Sequence, residues 1–261
     1  MYNQLAGTCI KMIKIPVMTM KERALNYPYE APAGSFLISG GYCRDLPDSY
    51  GFDDRVGVLS VGSNRSPAQL YRKFGEDADI PVTAVNIHGC DIVHVANLAP
   101  YGAVPCSAFP CDGVVAPLNI AWLTKSQLAI MHETESLGVA YEFVEWDCRQ
   151  VEHLHPKAVD RLFGYASLAG ALGYGTEEPV ALQAIKSQNR QFTAISQTEA
   201  LSHLFASYAG NIAQFDLWLE RCQQDSQFRD DVVDQLADSA IAASNPPWQA
   251  VPPDIDWVFS H

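Results

Sequence analysis

Two places in the chain carry residue types that could do chemistry together. The first is Val61-Gly62-Ser63-Asn64. Glycine lets the backbone turn sharply and lets a ligand approach the main chain. The N–H groups that follow lie near a helix start, where partial positive charge favours a carboxylate or a developing oxyanion. The same residues also suit a tight strand–helix turn in which Ser63 and Asn64 satisfy backbone groups. The second place is Glu135. On a helix opening near Thr124, Leu128, Met131 and Glu135 recur at i, i+3 and i+7 and share one face, while Glu133 points away from it. A carboxylate in line with an apolar stripe either reaches solvent at the helix end or projects into a cavity. Desolvated there, it would become a usable general base near neutral pH.

The elements that must position these residues follow from local pattern. Arg55-Val-Gly-Val-Leu-Ser-Val61 is short, apolar and β-branched, and reads as a buried strand running into Gly62. Ser66-Pro67-Ala68-Gln69 then opens a helix, with Ser at the N-cap, Pro at the first position and Gln completing a capping box. Thr124-Lys-Ser-Gln127 is a second capping box, expected to open a helix to about Ser136. Short strand-like runs at Thr83–Ile87, Ile92–Val95, Gly113–Trp122 and Tyr141–Trp146 are separated by Pro, Gly and Asn. Residues 1–50 read as irregular. From Val159 to Leu172 the apolar residues follow helical spacing, and Ser196-Gln-Thr-Glu199 caps a further helix with two more behind it. The tail at 245–253 is too rich in proline for a helix and is expected to be extended.

Composition narrows the class of function. The 261 residues allow one large domain or two modest ones. Lys and Arg number 17 against 30 Asp and Glu, a formal net charge of −13, which repels phosphate backbones and anionic lipid surfaces. No apolar run is long enough to span a membrane. The opening stretch is broken by Lys11, Lys14 and Pro16 and reads as lacking a secretory leader. Seven scattered cysteines, an odd number, fit reduced thiols and an expected cytoplasmic location.

Three segments in series resemble the gamma-glutamylcyclotransferase-like family. Gly62-Ser63-Asn64 with the helix behind it is similar to that family's Tyr-Gly-Ser-Asn loop. Ala103-Val-Pro-Cys-Ser-Ala-Phe-Pro-Cys-Asp-Gly113 resembles its Ala-x-(Ile/Val)-x-Pro-x-x-Gly crossing. Leu123-Thr-Lys-Ser-Gln-Leu128, running on to Glu135 and Tyr141, resembles its Leu-Ser-x-x-Gln-Leu … Leu-Asp-x-x-Glu … Tyr block. Order and spacing agree over residues 55–146. Val61 stands where the family has Tyr, and His132 where it has Asp.

The resemblance implies an α+β fold: a small mixed β-barrel enclosing a pocket over 1–155, with 156–261 as a C-terminal helical unit and extended tail. It also implies a cyclising reaction that needs no cofactor. The α-amine of a gamma-glutamyl amide attacks its own γ-carbonyl and releases 5-oxoproline and an amine. Glu135 would be the catalytic acid/base. Gly62, Ser63 and Asn64 would hold the small-molecule gamma-glutamyl substrate, with Tyr141 in the pocket wall. The rival reading is a non-catalytic binding or interaction protein on the same fold.

Other chemistries find less support. His88, Cys90 and His94 would share one strand face, but Asp91 lies opposite and no CxxC pair is present. No Gly-x-Ser-x-Gly elbow, Walker loop or dinucleotide fingerprint occurs. Cys106 has no supporting feature as a nucleophile. Gly170–Gly175 reads as a helix stop.

Overall fold

The computed structural model describes residues 11–13, 18–175 and 177–260. Most of the stretch read as lacking a leader, and Cys9 with it, lies outside the described residues.

In chain order the strands are β1 (Lys11–Met12), β2 (Phe36–Ser39), β3 (Tyr42–Asp45), β4 (Val56–Ser60), β5 (Asp79–His94), β6 (Cys106–Leu123), β7 (Tyr141–Trp146), β8 (Val151–His153), β9 (Leu162–Ser167), β10 (Ala181–Leu182), β11 (Ala194–Ile195) and β12 (Trp248–Ala250). The helices are α1 (Met20–Leu25), α2 (Pro67–Phe74), α3 (Lys125–Thr134), α4 (Gln197–Tyr208), α5 (Phe215–Gln224), α6 (Ser226–Ala237) and α7 (Ile255–Phe259). The strands form one large, mostly antiparallel sheet in the order β1-β3-β2-β5-β6-β4-β9-β7-β12, with β8 and β10 also on β5 and β11 on β10. The fold is therefore α+β, but the expected closed barrel is corrected. The sheet path ends at β1 and β12, and no ladder among the described residues joins those edges.

Instead of closing, the sheet folds over itself. β5 and β6 form one long hairpin, where sequence reading expected several short strands. Between the pairs His88–Val115 and Cys90–Pro110, Gly89 alone faces Cys111 to Val114. Gly89 and Gly113 both have positive φ, +75° and +77°, a backbone region that other residues enter at a cost. A straight strand would carry Cys106 about 40 Å from Asn119. Yet Arg65 bonds Asn119, while Cys106 Sγ lies 2.9 Å from where a Cβ on Gly62 would stand. The hairpin must therefore bend back. Its returning half meets β9, where Ser107 Oγ accepts from Ser167 N at 3.2 Å.

The helical reading of 159–172 is also corrected. Leu162–Ser167 is β9, parallel to β4 and antiparallel to β7 in the middle of the sheet. A central strand is covered on both faces, so Leu162, Phe163, Tyr165 and Ala166 are all buried, and an apolar run of this kind also satisfies helical spacing. β9, β10 and β12, beyond the boundary expected at 155, belong to the same sheet as the earlier strands, and the expected helices are α4, α5 and α6. No helix precedes Gly170–Gly175, so there is none for it to stop. The N-terminal region contains a β2–β3 hairpin turned at Gly40–Gly41, both at positive φ.

Apolar clusters cover the two faces. Leu70, Leu128, Met131 and Val258 from α2, α3 and α7 pack on Val58, Ala121 and Phe163. Leu201, Leu204, Trp218 and Leu236 belong to a larger cluster that includes Leu59, Val85 and Ile120. The His88–His94 segment is accounted for within the fold. Asp91 is fully buried and bonded by Arg190 Nε at 2.8 Å. His88 Nε2 lies 3.4 Å from Glu152 Oε2.

His94, fully buried at the end of β5, places Nε2 3.2 Å from the Ile195 carbonyl. Burial pushes its imidazole from 6.5 down to about 4, against the opposing effect of that hydrogen bond. Between those values the unfolded chain binds a proton that the folded chain does not. The neutral ring's contribution is thus complete above pH 6.5 and is lost as pH falls through 4. The total is about 3 kcal/mol. Urea unfolding from pH 7 to 4 should show His94→Gln losing less stability than the wild type across that window. Equal losses would contradict the assignment.

Candidate functional site

β4 delivers Val61 and Gly62 into a 3₁₀ turn at Ser63–Arg65, and Ser66 then caps α2. Ser66 makes no side-chain capping bond, since Gln69 N donates to its carbonyl instead, and the Gln69 side chain is engaged with Arg72, so the first expected capping box does not form. Gly62 O accepts from Arg65 N at 3.1 Å and Ser63 O from Ser66 N at 2.9 Å, which fixes the turn. Gly62 is required for close approach rather than for an unusual φ. A Cβ there would collide with the Tyr27 hydroxyl and lie 2.9 Å from Cys106 Sγ. Tyr27 Oη accepts from Cys106 N at 3.1 Å and lies 3.2 Å from its sulfur. A phenol from the N-terminal region thus abuts the loop whose own Tyr position is Val61.

The second capping box forms as expected. Thr124 N donates to Gln127 Oε1 at 3.0 Å, and Thr124 Oγ1 accepts from Gln127 N at 3.4 Å. Leu128 and Met131 are fully buried, and Glu133 is exposed. Glu135 is the C-cap of α3 rather than part of its last turn. Its carboxylate reaches the loop: Asn64 Nδ2 donates to Glu135 Oε1 at 2.9 Å. The same oxygen is ion-paired with Lys73 Nζ from α2, whose side chain is only 8% exposed against 14% for Glu135. Glu135 Oε2 makes no hydrogen bond among the described residues. Lys73 was not singled out from sequence, although it lies three residues from buried Leu70 and so on the packed face of α2.

Phenols surround this carboxylate. Tyr141, half-buried at the start of β7, is held well above the ordinary phenol range by burial, with Glu135, Cys106 and Tyr101 adding to the effect. Tyr165 is raised by burial and then by Glu135; its Oη lies 2.8 Å from His132 Nδ1. Burial lowers His132. Burial also pushes the Cys106 thiol up to about 12, so it stays protonated at neutral pH and is no ready nucleophile.

The structure therefore brings Gly62, Ser63, Asn64 and Glu135 together, with Tyr141 in the same electrostatic neighbourhood. Two open depressions lie elsewhere. One of about 1060 Å³ sits between the start of α3 and α7, and one of about 330 Å³ between β9 and residues 240–248. Neither is lined by the loop or by Glu135.

The chain matches no known protein family, no curated protein and no solved structure. The geometry of the site must carry the functional reading. Among the described residues no group of three or more His, Cys, Asp and Glu side chains is placed to hold a metal ion, and no helix is long and apolar enough to cross a membrane.

Gly62→Ala should destabilise the protein by about 1–3 kcal/mol in chemical denaturation, because the new methyl overpacks Tyr27 and Cys106. Tyr27→Phe in the same background should recover part of that loss. A neutral Gly62→Ala would show that the close approach does not exist.

Proposed function

We propose that this chain is a gamma-glutamylcyclotransferase-like enzyme that releases 5-oxoproline from a gamma-glutamyl amine or peptide. The observation that carries the reading is the Asn64–Glu135 contact at 2.9 Å, which joins the two motifs across 71 residues and leaves Oε2 unbonded. In the proposed reaction Glu135 takes a proton from the α-ammonium, freeing the nitrogen lone pair. The amine attacks the γ-carbonyl carbon, forming the ring C–N bond and a tetrahedral oxyanion that the Gly62–Asn64 turn cradles. Collapse breaks the bond to the leaving amine, which takes a proton back from Glu135; the ring nitrogen's second proton then passes to Glu135 and on to the departing amine, which leaves as an ammonium. Asn64 and Lys73 act as positioning groups: both hold Oε1, so the orientation of Oε2 is set before substrate arrives. Tyr27 places a hydroxyl beside Gly62, where the family's loop Tyr is replaced by Val61.

One observation favours the second reading, a non-catalytic small-molecule-binding module. The Glu135 charge is already matched by Lys73, so the carboxylate has a stable role without turnover.

The two readings separate on 5-oxoproline release from a panel of gamma-glutamyl amides and peptides. The enzyme reading expects turnover by the wild type and a fall of about 10²–10⁴-fold in Glu135→Gln. A folded wild type that turns over nothing in the panel would leave the binding reading.

A further inference from the structure

Arg65 differs from three other packed arginines in what it touches. Arg55, Arg161 and Arg190 each have a carboxylate oxygen within 3.0 Å. Arg65 has no acidic partner among the described residues; its one side-chain hydrogen bond among them runs from Nε to Asn119 Oδ1 at 3.0 Å. A partly buried guanidinium without a counter-charge is costly, and it offers a fork of N–H donors suited to a planar anion.

The neighbourhood adds donors. Asn119 and Ser60 face each other across the β4–β6 ladder and are each 1% exposed. Asn119 Nδ2 and Ser60 Oγ have no hydrogen-bond partner among the described residues. Unpaired polar atoms buried this deeply are costly and are suited to a ligand that supplies the missing partner. Two of them beside an uncompensated cation place cation and donors together with no acid.

The charge pattern limits which anion fits. Cys106 lies within electrostatic reach of both Arg65 and Glu135. Lys73 is already committed to Glu135. A single cation with Glu135 in reach of the same thiol suits a monoanionic carboxylate better than a phosphate dianion.

We infer that Arg65, with Asn119 and Ser60, forms a carboxylate-binding subsite that requires the ligand to carry a free α-carboxylate. The identity of the rest of the ligand rests on the gamma-glutamyl reading. Arg65 is here a specificity-determining residue and takes no part in proton transfer.

The test is equilibrium binding to the intact chain by calorimetry, using unreactive 5-oxoproline and its neutral carboxamide. The wild type should bind the carboxylate at least about tenfold more tightly, as expected for a charge-assisted pair. Arg65→Met should remove that preference and leave carboxamide affinity unchanged. Asn119→Asp, which gives Arg65 an internal acid, should abolish 5-oxoproline binding without loss of thermal stability, and so covers the case in which Arg65→Met fails to fold. The inference is overturned if the wild type binds both compounds equally or binds neither at millimolar concentration. It is likewise overturned if Arg65→Met weakens both equally. Release of 5-oxoproline without carboxylate preference would remove the subsite and keep the reaction. Arg65-dependent preference without release would keep the subsite and remove the reaction.

Discussion

The bend in the β5–β6 hairpin is the constraint on which the rest of the site depends. Gly89 faces a run of β6 residues, and Gly113 supplies the positive φ that lets that run turn. Without this bend, Cys106 would lie far from β4, and the Gly62 turn would lack the sulfur and phenol against which it packs. The same bend brings Ser107 to β9 and so carries the sheet most of the way around the interior. A sheet that folds over itself but leaves β1 and β12 as edges can enclose polar groups on one face and still take α2, α3 and α7 on it.

Inside that curl the charges are arranged rather than minimised. Glu135 and Lys73 neutralise each other from adjacent helices, and Asn64 ties the pair to the loop. Tyr27, Tyr141 and Tyr165 are all held protonated by burial, so the interior presents hydroxyls rather than phenolates. Arg65 has no acidic partner among the described residues.

Much of this frame was legible in the sequence, for identifiable reasons. β4 and β7 stood out because they are short, apolar and bounded by turn residues. α3 was legible from its capping box, and the facing of Glu135 from its spacing with Leu128 and Met131. The misreading of β9 has the opposite cause: a strand covered on both faces loses the alternation that marks a half-buried one. The hairpin bend was invisible because Gly89 and Gly113 read as strand ends, when they are the hinge of a continuous ladder. Lys73 and Tyr27 were missed because their roles come from packing between elements distant in sequence. Local pattern reports burial and capping, and it does not report which cation will face which anion.

The central claim is that the Gly62–Asn64 turn and Glu135 line one ligand space in the curl of the sheet. Its most direct test is a crystal structure of the Glu135→Gln variant with a gamma-glutamyl amide bound. The account predicts the ligand between the turn and residue 135, its amine toward that side chain and its α-carboxylate on Arg65. A ligand held instead in the depression between β9 and residues 240–248, with the turn untouched, would contradict it.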